Sequence, residues 1–196
     1  MKTLEILITT HATSKWNELG QCQGHCDSEL SEAGTKMANL LADRPDLLNI
    51  TAIYTSDLKR AHDTALPLAR RLAIPIKTTP LLREGNWKDH HKDPDYPPLP
   101  FDGPYEDKNS LTRRASECMA TIAASESRSP ILIVTHGGFL NFFIEYYFPD
   151  RIEEYKGIRT ALNHLRYDNR EWELLELNND SHLDTKASSN ATLDSG

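Results

Sequence analysis

The sequence predicts an α/β chain, a three-layer α/β/α sandwich with a mostly parallel sheet and helices on both faces. Three observations lead there. Short apolar, β-branched runs at 4–8, 52–55 and 131–135 alternate with longer stretches whose apolar residues repeat near 3.6. Two of those runs end alike, in Thr9-Thr10-His11-Ala12 and Val134-Thr135-His136-Gly137, so that each strand hands a histidine to a small loop. The 196 residues, 38% hydrophobic and 26% charged, suffice for one sizeable core.

Residues 4–8 read as the first strand, and 10–30 as a polar loop containing Gly20, Gly24 and Asp27. Ser31 is an N-cap, opening a helix with Met37, Leu40 and Leu41 on its apolar face and Pro45 just past its end. Residues 52–55 form a second strand. Residues 57–72 form a second helix, with Leu58, Ala61, Ala65, Leu68, Ala69 and Leu72 in register. Ile74-Pro75-Ile76 is a short strand, and its proline, which lacks an N–H, puts it at an edge or a strand start. Residues 80–108 hold six of the 11 prolines and two glycines, and an irregular stretch of that length in a compact domain is usually a functional loop. A helix at 109–125, a strand at 131–135 and a helix at 138–148 follow. Residues 162–167 and 172–177 then pair as a hairpin around Asp168-Asn169-Arg170. Residues 1–178 are expected to be a single domain, and 179–196, polar and small, a disordered tail.

A net charge of −7 argues against a broad nucleic-acid surface, so an anionic ligand needs a local cationic pocket. No apolar run approaches the ~20 residues of a membrane span, and the interrupted N-terminal run is too short for a signal peptide. Cys22, Cys26 and Cys118 form no disulfide framework, which favours a reducing, cytoplasmic setting.

Ligands of open α/β sheets bind beyond the carboxyl ends of the strands, where His11 and His136 both fall. Arg60 lies in the first turn of its helix and offers a planar fork suited to phosphate or carboxylate. The alternative is a surface arginine paired with Asp57 or Asp63. Glu84 follows Leu81-Leu82 and stands near Trp87, surroundings that raise a carboxyl pKa and let it hold a proton. The alternative is a solvated glutamate paired with Arg83. Cys22-Gln23-Gly24-His25-Cys26 fits no ordinary zinc spacing, and His90-His91 reads as solvated loop, so no metal is expected.

The ordered set of segments resembles the histidine phosphatase superfamily, in its phosphoglycerate mutase-like branch. The resemblance runs through Thr10-His11-Ala12-Thr13-Ser14-Lys15-Trp16-Asn17, Gln23-Gly24, Asp27 and Leu30-Ser31-Glu32-Ala33-Gly34. It continues through Ser56-Asp57-Leu58-Lys59-Arg60-Ala61-His62, Leu82-Arg83-Glu84 and Val134-Thr135-His136-Gly137, covering residues 4 to 183. It implies a phosphatase that hydrolyses a small-molecule phosphomonoester through a phosphohistidine at His11. Arg60 and His136 would grip the phosphoryl oxygens, Asn17 would add a hydrogen bond, and Glu84 would protonate the leaving oxygen and then activate water. Thr10, Ser14, Gln23, Gly137 and Trp87 would complete the phosphate and substrate contacts. No cofactor is implied. The implied partner is a small anionic substrate, with no nucleic acid and no membrane, and a homodimer is left open.

The sequence also departs from that family. The motif arginine before the nucleophile is Thr10, the glycine after it is Ala12, and Gln21 stands where many members carry another arginine. Losing one bidentate donor removes roughly 3 kcal/mol, on the order of a hundredfold in rate. Lys15 or Lys59 are candidate replacements. The alternatives are a repurposed member using His11, Glu84 and His136 as acid–base groups on a non-phosphorylated molecule, or a non-catalytic binding protein. Glu84 is followed by Gly85-Asn86-Trp87-Lys88 rather than the Arg-x-Tyr-Gly of the mutases, which favours hydrolysis. Trp87, Tyr96, Phe101 and Tyr105 permit a ring-bearing ligand.

Overall fold

The computed structural model describes residues 3–87 and 105–183. Its frame is one six-stranded sheet: β1 (Leu4–Thr10), β2 (Ala52–Ser56), β3 (Ile76–Thr79), β4 (Ile131–Thr135), β5 (Leu162–Asp168) and β6 (Glu171–Asn179), in the order β3-β2-β4-β1-β5-β6. The β3–β2, β2–β4 and β4–β1 pairings are parallel, and β5 joins antiparallel to both β1 and β6. Ile76 opens the edge strand β3 one residue after Pro75, so the proline costs no ladder hydrogen bond.

The period-2 alternation of the strands divides the core in two. Leu4, Ile6 and Ile8 of β1, with Ile131 and Ile133 of β4, face α4 (Lys108–Ser125) and α5 (Gly137–Tyr147), packing on Leu111, Met119, Phe139 and Phe143. Leu7, Ile53, Leu132 and Val134 face the opposite way onto Leu41, Ala61, Ala65 and Leu68, from α2 (Glu32–Ala42) and α3 (Lys59–Leu72). The three expected layers follow. Ser31 caps α2 by accepting the Gly34 N–H. The β5–β6 turn has positive φ at Asn169 and Arg170, the backbone a two-residue hairpin needs to match strand twist.

Two stretches differ from the sequence reading. The loop after β1 contains a one-turn helix, α1 (Lys15–Glu18), capped reciprocally by Ser14 and Asn17. The expected tail begins as structure: Asn179 ends β6, and Ser181 and His182 both accept hydrogen bonds from Arg44. Residues 184–196 lie outside the described residues. Among the described residues no helix is long and apolar enough to cross a membrane.

Candidate active site

Three adjacent strands build the site. The β2-β4-β1 order sets the chain after β2 beside the chain after β4, and that beside the chain after β1. Thr10 and Thr135 are register partners, and the His11 N–H extends the ladder to the Thr135 carbonyl at 2.9 Å. The His11 and His136 rings therefore stand with centroids 5.2 Å apart. From the end of β2, α3 begins at once and brings in Arg60, which is only 1% exposed.

The tautomer of His11 follows from its partners. Nδ1 lies 2.7 Å from the Ala12 carbonyl, which only accepts, so Nδ1 carries the proton. Nε2 then presents a lone pair, and Arg60 Nε donates to it at 3.3 Å. Burial, followed by the charges of Arg60 and Arg159, holds His11 well below the ordinary histidine range. Burial likewise depresses His136, helped by Arg60 and His11. Both imidazoles are thus neutral at pH 7. Both ring nitrogens of His136 are buried without a hydrogen-bond partner. Leaving such a group unpaired costs about 1–3 kcal/mol.

Arg60 also donates to the carbonyls of Gly24 (2.7 Å) and Cys26 (2.8 Å), fixing the loop before α2 against the site. Burial pushes its pKa down to about 10, so it stays charged at neutral pH. The surface alternative does not hold: Asp57 pairs with Arg83 and Asp63 with Lys59. The same Asp57–Arg83 pair removes the alternative partner of Glu84. The Glu84 carboxylate instead accepts the N–H groups of Gly138 (3.1 Å) and Phe139 (3.2 Å) in the first turn of α5, and that of Gly85 (3.0 Å). Its backbone is clamped too, since its carbonyl accepts from Arg114 (3.1 Å) and lies 2.7 Å from His25 Nε2.

These side chains open on a pocket of about 290 Å³, lined by His11, Asn17, Gln21, Cys22, Gln23, Gly24, Arg60, Glu84, Trp87, Gly137, Gly138 and Arg159. Most of the residues read from the sequence are therefore brought together. Three are not on that lining. His136 is fully buried beside His11. Ser14 is buried, with its hydroxyl 2.9 Å from Gln23 Oε1 and 3.0 Å from Asn17 Oδ1, one proton serving the two, so it shapes the loop and is not on the pocket lining. Thr10 is 3% exposed, with its hydroxyl unpaired inside the protein.

Ala12, where the family has glycine, is not among the residues at positive φ, so its methyl strains no backbone, and its N–H donates to Thr64 Oγ1 at 2.9 Å. The two candidate replacement cations are also corrected. Lys15 is paired with Glu29 and Lys59 with Asp63, both as surface ion pairs. Among the described residues no group of three His, Cys, Asp or Glu side chains could hold a metal. His90, His91, Tyr96 and Phe101 lie outside the described residues, and Tyr105 is exposed.

The residue that sequence reasoning missed is Arg159. It sits two residues beyond Gly157 (φ 62°) and just before Thr160, whose φ of 60° is unusual for a β-branched residue and costs about 1–3 kcal/mol. Thr160 is held there from two sides. Its N–H donates to the Thr10 carbonyl at 3.3 Å, and its hydroxyl lies 3.1 Å from His182 Nε2. Arg44 Nη1 donates to His182 Nδ1 at 3.1 Å, so Nε2 carries the imidazole proton and donates to Thr160. No periodicity or motif marks Arg159; a lone cation after a glycine was the only signal.

The histidine phosphatase superfamily (branch 1) profile matches residues 6–180, and the chain belongs to that family. A metal-independent phosphoserine phosphatase of Arabidopsis thaliana is 32% identical over 155 residues, covering 69% of this chain and 65% of that protein, just under two thirds of its length. Phosphoglycerate mutase-like protein 4 of the same plant is 28% identical over 205 residues, covering 92% of this chain and 87% of that protein. Among solved structures, Bacillus stearothermophilus YhfR superposes with a TM-score of 0.80 at 26% identity, covering 92% of this chain and all of that one.

Proposed function

We propose that this protein hydrolyses a small-molecule phosphomonoester through a phosphohistidine at His11. The observation that carries the reading is the state of His11: a neutral imidazole, proton fixed on Nδ1 by Ala12, with the Nε2 lone pair facing a pocket shared with Arg60 and Glu84. Membership of the family and likeness to a metal-independent phosphoserine phosphatase support it.

In the first half-reaction the Nε2 lone pair attacks phosphorus and the ester P–O bond breaks. Glu84, entering the cycle protonated, gives its proton to the departing oxygen and is left as the carboxylate. Once Nε2 is bonded to phosphorus it no longer accepts from Arg60, so that N–H is released to a phosphoryl oxygen. His136 meets another oxygen with its unpaired ring N–H, and Asn17 and Gln23 supply neutral donors at the rim. In the second half-reaction Glu84 takes a proton from water, the water oxygen bonds to phosphorus, and the N–P bond breaks, regenerating the neutral imidazole. Cationic and N–H donors supply the charge stabilisation that such transfer requires.

The substrate is a small anion, in keeping with a pocket of about 290 Å³. Trp87 on its rim favours a substrate with an apolar portion. Cys22, Cys26 and Cys118, which form no disulfide, support a reducing, cytoplasmic setting. The test is phosphate release from a panel including phosphoserine and 4-nitrophenyl phosphate. Activity lost in His11→Ala and cut at least a hundredfold in Glu84→Gln supports the reading. Activity that survives His11→Ala overturns it.

A further inference from the structure

Resting on that reading, we infer that Arg159 grips the transferring phosphoryl group, doing from the chain before β5 what an arginine at position 10 does not do here. Four observations converge. First, Arg159 lines the same pocket as His11, Arg60 and Glu84. Second, its guanidinium makes no hydrogen bond or ion pair among the described residues, whereas Arg60 commits three of its five N–H groups to His11, Gly24 and Cys26. Arg60 anchors the site; Arg159 has its fork free for two oxygens. Third, its charge acts on His11 and Arg60 and is met by that of Glu84, which puts it among the reacting groups. Fourth, the turn that carries it is stitched to Thr10 itself, through Thr160 N–H on the Thr10 carbonyl. The cation is delivered next to the position from which it is missing.

The pocket lining sets Arg159 beside His11 and Glu84, the nucleophile and the acid of the proposed reaction. The chemistry assigned to Arg159 is therefore bidentate contact with the oxygens of the phosphoryl group, not recognition of a carboxylate elsewhere on the substrate.

The experiment compares wild type with Arg159→Gln and Arg159→Lys in two assays. The first is calorimetric binding of inorganic phosphate, which needs no turnover. The second is kcat/KM on 4-nitrophenyl phosphate, which has no carboxylate, and on phosphoserine, which has one. We expect Arg159→Gln to weaken phosphate at least tenfold and to lower kcat/KM at least thirtyfold on both esters. Arg159→Lys should recover part of each, and melting temperatures should stay within a few degrees. Unchanged phosphate affinity overturns the inference, as does a loss confined to phosphoserine. If wild type binds phosphate but hydrolyses neither ester, the hydrolysis reading fails, while weakened phosphate in Arg159→Gln still supports the role of Arg159. If wild type neither binds nor hydrolyses, both fail.

Discussion

His11 and His136 stand 5.2 Å apart, ring centroid to ring centroid, because Thr10 and Thr135 pair across β1 and β4 and each histidine is the next residue. Register alone thus decides that the two imidazoles share one site. Burial favours the neutral form of each, leaving His11 with an Nε2 lone pair toward Arg60 and His136 with ring nitrogens that have no partner.

That neutrality is measurable. His11 and His136 lie well below the ordinary histidine range, so their imidazole NMR signals should not titrate between pH 8 and 5. Signals from both that move with a midpoint near pH 6.5 contradict the burial argument.

The same shifts set how stability depends on pH. His25 and His182 are both lowered to about 4, chiefly by burial, and His11 and His136 lie lower than usual as well. Each binds more protons unfolded than folded once the pH falls below about 6.5. Their stabilisation is full above that value and is lost as the pH falls toward 4. Urea midpoints should decline steadily from pH 7 to pH 5, and a flat profile would count against it.

Two glycines should respond differently to alanine. At Gly34 a Cβ would meet the Thr13 carbonyl oxygen at 1.8 Å, and backbone must move. Gly34→Ala should destabilise by about 2–4 kcal/mol in urea titration. At Gly138 a Cβ would meet Glu84 Oε1 at 2.5 Å, the end of a side chain that can swing away. Gly138→Ala should keep most of its stability and lose about ten- to a hundredfold in kcat, since the carboxyl leaves its seat on α5. Equal effects of the two variants on stability would contradict this.

Restoring the motif arginine offers a reciprocal check on Arg159. Thr10 is 3% exposed and adjoins the Arg159 turn, so Thr10→Arg adds bulk and like charge beside a cation already present. Alone it should not raise kcat/KM. Combined with Arg159→Gln it should recover at least part of the activity that Arg159→Gln loses. A gain from Thr10→Arg alone, or no recovery in the double variant, would show that the two positions do not share a task.

Arg44 is the clasp behind that turn. It pairs with Asp46 and donates to Asn179, Ser181 and His182, and His182 in turn reaches Thr160. Arg44→Ala should cost about 1–3 kcal/mol, discounted for the half-exposed Asp46, and should raise KM through the loosened Arg159 turn. Unchanged KM with lowered stability would make the clasp merely structural.

The sequence made the sheet and the histidines legible because both are local. A β-branched run ending in Thr-His needs no distant partner to be read, and neither does Ser31 before a periodic helix. Arg60 was readable as a helix-start cation, but its burial depends on the Gly24 and Cys26 carbonyls folding back over it. The resemblance implies a ligand contact for Ser14, whereas its hydroxyl is taken up in the reciprocal cap with Asn17, a three-residue spacing that is local in the sequence. Arg159 was illegible for a different reason. Its place rests on a strained Thr160 and on hydrogen bonds to Thr10 and His182, contacts set by the sheet and the C-terminal segment rather than by neighbours in sequence.

The most direct test is to trap the intermediate. Wild-type protein mixed with phosphoserine or 4-nitrophenyl phosphate, quenched in alkali within milliseconds and digested, should yield a phosphorylated peptide containing His11. That adduct should be acid-labile, absent from His11→Ala, and longer-lived in Glu84→Gln. Hydrolysis that proceeds with no adduct, or with the phosphoryl group on another residue, would contradict the account.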